Sequence, residues 1–152
     1  TEAQRLPNVT GKQWVLRMIL SSDAAVGSLA DHVYVTTSHP RQRQVDIPIT
    51  GFVRPSLAAT PSEAQFGSAE PPIGKILIVH NFSNQSIVLM SVESDTRGVE
   101  VSLEPVEPGR EYNLKIALQT TIAKGPLNGK ITIHTNSQKV PVLVVPLKGT
   151  IR

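Results

Sequence analysis

His80 and Ser83 stand three residues apart, and this is the nearest the sequence comes to nucleophilic chemistry. A hydrolytic triad needs a histidine against a nucleophile with an acid behind it. A nucleophile elbow needs a Gly-x-Ser-x-Gly turn, which is absent. His80 ends a predicted strand, so nearby backbone is its expected partner. His32 and His39 flank a strand instead of sharing a face, a poor spacing for a metal ion. Glu104, Glu107 and Glu111 lie beside Pro105 and Pro108 and read as a solvated acidic loop, whereas the paired carboxylates of a glycosidase flank a cleft. The sequence has no cysteine, which removes disulfides, thiolate nucleophiles and zinc–thiolate sites together. No catalytic residue, metal site, cofactor or enzyme activity is therefore expected.

Charge and hydropathy exclude other classes. The net charge is +3, spread along the chain, with six Lys/Arg against four Asp/Glu up to residue 54 and nine against eight beyond it. A nucleic-acid binder gathers its positive charge into a stripe with interleaved aromatics, so no nucleic-acid partner is expected. No apolar run approaches the roughly 18 residues of a membrane helix, so no membrane insertion is expected. Asn-x-Ser/Thr triplets begin at Asn8, Asn81 and Asn84, but in the last two the residue types also suit a tight turn. Carbohydrate binding calls for exposed aromatic platforms. Trp14, Phe66 and Tyr112 are expected inside, which leaves Tyr34, Phe52 and Phe82.

The elements behind these residues come from a repeat. Gly109–Arg152 slides back 98 positions onto Gly11–Arg54 without a gap: Leu114 falls on Leu16, Gly125 on Gly27, Thr135 on Thr37, Pro146 on Pro48 and Gly149 on Gly51. His134 falls on Thr36, an exchange that argues against a ligand role. Period-two alternation predicts strands over Trp14–Leu20, His32–Thr37 and Val45–Ile49, with copies at 112–118, 130–135 and 143–147. Trp14, Leu16, Met18, Leu20, Val33, Val35, Ile47 and Ile49 are expected to form one apolar face. Residues 1–10 read as a connecting loop containing Pro7. Pro48 and Pro146 belong on an edge or at a bend, because proline donates no ladder bond. After Gly51 the chain passes straight to Pro55 with no flexible spacer, which implies touching neighbours.

Residues 55–152 carry further strands at Ser56–Thr60, Ala64–Gly67, Lys75–His80, Ile87–Val92 and Val99–Leu103. Lys75–His80 is apolar on both faces and suits a central position. Seven short strands within about 100 residues predict an immunoglobulin-like seven-stranded β-sandwich. The fold class is thus all-β, with one complete module at 55–152 preceded by the C-terminal half of another at 1–54. Its core is expected at Leu77, Val79, Leu89, Leu114, Ile116, Leu118, Ile131, Ile133, Val145 and Leu147.

Pro61, Phe66, Gly67 and Asn81, followed by Gly125, Leu127, Thr135, Asn136, Pro146, Leu147 and Gly149, resemble bacterial immunoglobulin-like domains of unknown function related to the ASH (Hydin-type) and PapD-like sandwiches. The resemblance implies a seven-stranded sandwich, frequent tandem copies and an extracytoplasmic, periplasmic or secreted, location. It brings no catalytic residues.

The resulting expectation is a non-catalytic structural or protein-binding module of a larger extracytoplasmic bacterial multi-domain protein. The alternative is a carbohydrate-binding module attached to an enzyme outside these residues. Outward positions of the last strand differ between copies: Gln42, Gln44 and Asp46 in the first, Val140, Val142 and Val144 in the second. The three valines are the candidate partner-binding residues, the partner being a neighbouring module or a second copy. Residues 1–54, with their strand edges uncovered, are a further route to a homo-oligomer.

Overall fold

The structure is a computed structural model that describes residues 2–5, 13–21 and 23–152. Pro7, Asn8 and Gly11 lie outside the described residues. The chain divides into two compact units, Thr1–Arg54 and Pro55–Arg152.

In the first unit, β1 (Glu2–Arg5) pairs antiparallel with β2 (Trp14–Arg17), and β3 (Gly27–Thr36) pairs antiparallel with β4 (Gln44–Val53). Four expectations change here. Glu2–Arg5 is a strand and not a loop. Its residues have little β propensity, and the ladder to β2 gives the segment its conformation. The strand expected over 14–20 ends at Arg17, and that expected from His32 starts at Gly27, whose positive φ of 131° suits glycine. Trp14 is exposed, not interior. The alternation of β3 and β4 is as read: Val33, Val35, Val45, Ile47 and Ile49 are half-buried, while Tyr34 and Asp46 face solvent.

The second unit holds eight strands: β5 (Leu57–Thr60), β6 (Ala64–Ala69), β7 (Ile73–Asn81), β8 (Leu89–Ser94), β9 (Val99–Glu107), β10 (Glu111–Leu118), β11 (Gly125–Thr135) and β12 (Val142–Ile151). They form two four-stranded sheets, ordered β5-β7-β10-β9 and β6-β12-β11-β8. Alternate residues of both sheets meet in one core. Leu77, Val79, Leu114, Ile116 and Leu118 come from the first sheet, and Leu89, Ile131, Ile133, Val145 and Leu147 from the second; all are buried. β7 is central in its sheet, but Ile76 and Ile78 on its outer face are exposed. Apolar residues on both faces of a strand indicate its place in the sheet and not the cover over it.

The offset of 98 reappears as pairing geometry. Gly27 opposes Val53 and Thr36 opposes Gln44, as Gly125 opposes Ile151 and His134 opposes Val142. The turns match as well. Thr135 donates its N–H to the Pro141 carbonyl at 2.9 Å and its hydroxyl to the Val140 carbonyl at 2.5 Å. Thr37 donates its N–H to the Arg43 carbonyl at 2.9 Å and its hydroxyl to the Gln42 carbonyl. One threonine at the end of each hairpin therefore sets the same register twice. β1–β2 differs from β9–β10 by two residues, Glu2 facing Arg17 where Ser102 faces Lys115, and a slip of two keeps every side chain on its face.

Two polar side chains tie the loops down. Buried Asn81 donates through Nδ2 to the carbonyls of Gln85 (2.6 Å) and Gly109 (2.7 Å), and its Oδ1 accepts the Ser83 N–H at 2.9 Å. The Tyr112 hydroxyl accepts the Gly109 N–H at 3.0 Å and donates to the Ile87 carbonyl at 3.2 Å.

Ile116 is 2% exposed at the centre of this core. Ile116→Ala is expected to cost about 2–5 kcal/mol, the range for a buried large-to-small change. Chemical denaturation of the chain measures it, and a loss below about 0.5 kcal/mol would mean that the site is not packed as described.

Candidate functional site

The groups that nucleophilic catalysis would call on have other partners. The Ser83 hydroxyl donates to Asn81 Oδ1 at 2.7 Å, while His80 Nδ1 lies 3.3 Å from Glu111 Oε2 on the neighbouring strand. The histidine and the serine thus serve different partners. His32 Nδ1 sits 2.7 Å from Asp46 Oδ1, the Arg41 N–H donates to His39 Nδ1 at 3.3 Å, and His134 Nε2 is 3.7 Å from Glu93. Among the described residues no group of three His, Asp or Glu side chains converges as a metal site would require. Glu104 and Glu107 stand on β9 and Glu111 on β10, so the acidic residues expected in a loop belong to a ladder, and the loop is only residues 108–110. A shallow depression of about 460 Å³ opens on the outer face over Gly74, Ser102 and Ala117. Lys115 lies opposite Ser102 there, but its Nζ is 2.6 Å from Glu104 Oε2.

The feature left is an edge. β12 lies between β11 and β6, yet β6 pairs with it only from Leu147 to Ile151. Among the described residues, the five residues Val142–Pro146 therefore have β11 on one side and no strand on the other.

The direction of their backbone groups follows from β11. Lys130 gives its N–H to Asp95 Oδ1 at 2.9 Å and accepts the Asp95 N–H on its carbonyl at 3.2 Å, so its main chain faces away from β12. Pro146, opposite Lys130, then occupies a widely spaced pair, and the side on which it lacks an N–H is the open one. Two-residue alternation turns the N–H and C=O of Val142 and Val144 to that same open side. Their side chains stand on the outer face, 41% and 49% exposed.

Val140 does not join them. β12 begins at Val142, and Val140 sits in the preceding turn, where its side chain packs against the core. The alternation that places three valines on one face runs through a turn, where it does not hold.

The junction where β6 meets β12 has its own chemistry. A Cβ on Gly149 would lie 3.1 Å from the Gly67 carbonyl oxygen and from Phe66 Cβ, so the two backbones approach where glycine leaves room. Beside it Lys148 Nζ lies 2.8 Å from Glu63 Oε2. That hydrogen bond, with a second from Gln65, holds the Glu63 carboxyl below its usual range. Neither β6's late start nor the open stretch it leaves has a sequence signal beyond Pro61 and Pro146.

No family model matches the chain, and no curated protein matches it. Among solved structures it is similar to a protein of unknown function from Porphyromonas gingivalis W83, with a TM-score of 0.53 and 12% identity over 91% of this chain and 76% of that one. It is also similar to the secreted serine protease VesC from Vibrio cholerae, with a TM-score of 0.43 and 14% identity over 57% of this chain and 21% of that one. The first likeness concerns the all-β fold alone, and the second carries no argument.

The Asp95 carboxyl is held below its usual value of 3.8, chiefly by the Lys130 N–H and then by the Thr96 hydroxyl. A carboxyl with a lowered folded-state pKa stabilises the fold at pH above its unfolded value, and that contribution disappears as pH falls through the folded value. Asp95→Asn should therefore lower stability at neutral pH, and the gap to the unsubstituted chain should close below the usual carboxylate range. Denaturant titrations at several pH values measure this. A gap that stays constant into acid would mean that the charge of Asp95 is not what holds Lys130.

Proposed function

We propose that the chain is a non-catalytic structural or protein-binding portion of a larger extracytoplasmic bacterial multi-domain protein. On this reading it is built of immunoglobulin-like modules in tandem, one complete at 55–152 and one represented by its C-terminal half at 1–54. The strand orders β5-β7-β10-β9 and β6-β12-β11-β8 support it, because they correspond to the ABED and CFG sheets of an immunoglobulin-like sandwich with the first strand divided between both. The hairpin registers shared at an offset of 98 support the tandem reading. Fold alone assigns no activity, and the dispersal of histidine, serine and carboxylate side chains favours a binding role over catalysis.

The observation that carries the proposal is the open edge at Val142–Pro146. Exposed strand edges with apolar side chains recruit other strands. The corresponding stretch of β4 carries Gln44 and Asp46, the polar outer residues that discourage such pairing. The partner is a polypeptide: a neighbouring module or another chain laying a strand along β12.

Carbohydrate binding is the second reading, favoured by the exposure of Trp14, Tyr34, Phe52 and Phe82. Retention of the chain on polysaccharide columns, lost on Tyr34→Ala or Phe52→Ala, would select it.

Val142→Lys places a charge on the open edge and leaves the inward residues untouched. Concentration-dependent association by light scattering should weaken, and the stability of the module should stay within the roughly ±0.5 kcal/mol of a surface change. Gln44→Lys should alter neither. Association unchanged by Val142→Lys, or unfolding of the module, would show that the edge is not the binding surface.

A further inference from the structure

We infer that Lys75 keeps a second open edge of this sandwich, on β7, from taking a strand, and so decides which of two edges is available for pairing. The second unit has two such edges because no strand runs the full length of either. β5 pairs with β7 only from Ile78 to Asn81, and β6 pairs with β12 only from Leu147 to Ile151. Among the described residues, Ile73–Leu77 of β7 therefore has β10 on one side and no strand on the other, just as Val142–Pro146 has β11 alone.

The backbone of the β7 stretch is open in the same way. Asn81 donates its N–H to the Arg110 carbonyl at 2.8 Å, on the β10 side, and Phe82 donates its N–H to the Ser56 carbonyl at 2.8 Å, on the β5 side. The ladders of β7 run without a register shift. Alternation along the strand therefore turns the N–H and C=O of Gly74 and Ile76 to the side that β5 does not reach. The outer face is no deterrent, since Ile76 is 57% exposed, more than Val142 or Val144.

The inward positions separate the two edges. In the β12 stretch they are Leu143 and Val145, both apolar. In the β7 stretch the inward position is Lys75, in phase with the fully buried Leu77 and Val79. Lys75 is half-buried, its ammonium lies 5.6 Å from the Phe66 ring centroid, and it donates to the Gln65 carbonyl. The side chain thus reaches from β7 to β6 in the opposite sheet. A strand laid along Ile73–Leu77 would set an inward side chain about 5 Å from Lys75, and would have to enclose its charge or break its contact with β6. Enclosing an unpaired charge is costly, and an inward-pointing charge is one means by which strand edges are kept from pairing. The role of Lys75 is argued at β7 alone; the corollary, that strand addition is left to β12, rests on the function proposed above.

The test uses the full chain carrying Val142→Lys, which blocks the other edge, with Lys75→Met added to remove the ammonium and keep the length of its stem. The added change should give a mass by light scattering that rises with concentration. Amide exchange at Gly74 and Ile76 should slow as the mass rises. Lys75→Arg, which keeps the charge, should do neither. Lys75→Gln repeats the measurement with a neutral polar side chain if the methionine variant loses its fold. A neutral variant that stays folded and monomeric overturns the inference, as does one whose association leaves the Gly74 and Ile76 amides as fast as in the dilute chain. Protection of those two amides by association while Lys75 is in place overturns it as well. So does unfolding of both neutral variants, which would make Lys75 part of what holds the fold. Persistent association of the Val142→Lys chain with Lys75 present and both amides still fast would remove the β12 reading and agree with this one.

Discussion

A strand's backbone groups are paired by a neighbour or left to water, and this chain is organised by where that pairing stops. β11 is paired on both sides over Ile131–His134, with β8 on one side and β12 on the other. β12 is paired on both sides only from Leu147 onward. The core under these sheets depends on the same ladders, since Ile131, Ile133, Val145 and Leu147 point inward only while the register holds. The threonine at the hairpin end, with its hydroxyl on the Val140 carbonyl, sets that register. Stability and the open edge thus share a cause: the ladder that turns the odd-numbered residues of β12 inward turns Val142 and Val144 outward.

The two units differ in the chemistry they place on one backbone plan. β4 and β12 have the same register against their partners but opposite outward character, Gln44 and Asp46 against Val142 and Val144. In the first unit Asp46 is also engaged by His32, which lies against Tyr34 with ring centroids 6.1 Å apart. One backbone plan therefore carries a polar, aromatic outer face in one unit and an apolar edge in the other. Asp31 in place of Gly129 is a third difference: its carboxylate accepts the His32 N–H at 2.8 Å, where the Lys130 N–H goes to Asp95.

Much of the fold is legible in the sequence because alternation is a local signal. The ten residues expected in the core, from Leu77 to Leu147, are buried because each lies in a strand whose inward side is apolar. What escapes such a reading is non-local. Glu2–Arg5 has no strand signature and is a strand through its partner β2. Trp14 aligns with the interior Tyr112, but Tyr112 is buried by loops around Gly109 and Ile87 that the described part of the first unit does not supply. Val140 joins Val142 and Val144 only when the alternation is counted through a turn. The open edge is written in outline alone, as a proline in the last strand and outward valines before it, because the point where β6 joins β12 depends on a crossing between sheets that no local pattern encodes.

Residue-resolved amide exchange in dilute solution is the most direct check on the open edge of β12. Leu143 and Val145 point their backbone toward β11, so their amides should exchange slowly, at rates tied to opening of the module. The amides of Val142 and Val144, turned to the side β6 does not reach, should exchange far faster and gain protection only as the chain associates. Protection of Val144 equal to that of Val145 in the dilute monomer would mean that the edge is already covered, and the proposed binding surface would fall with it.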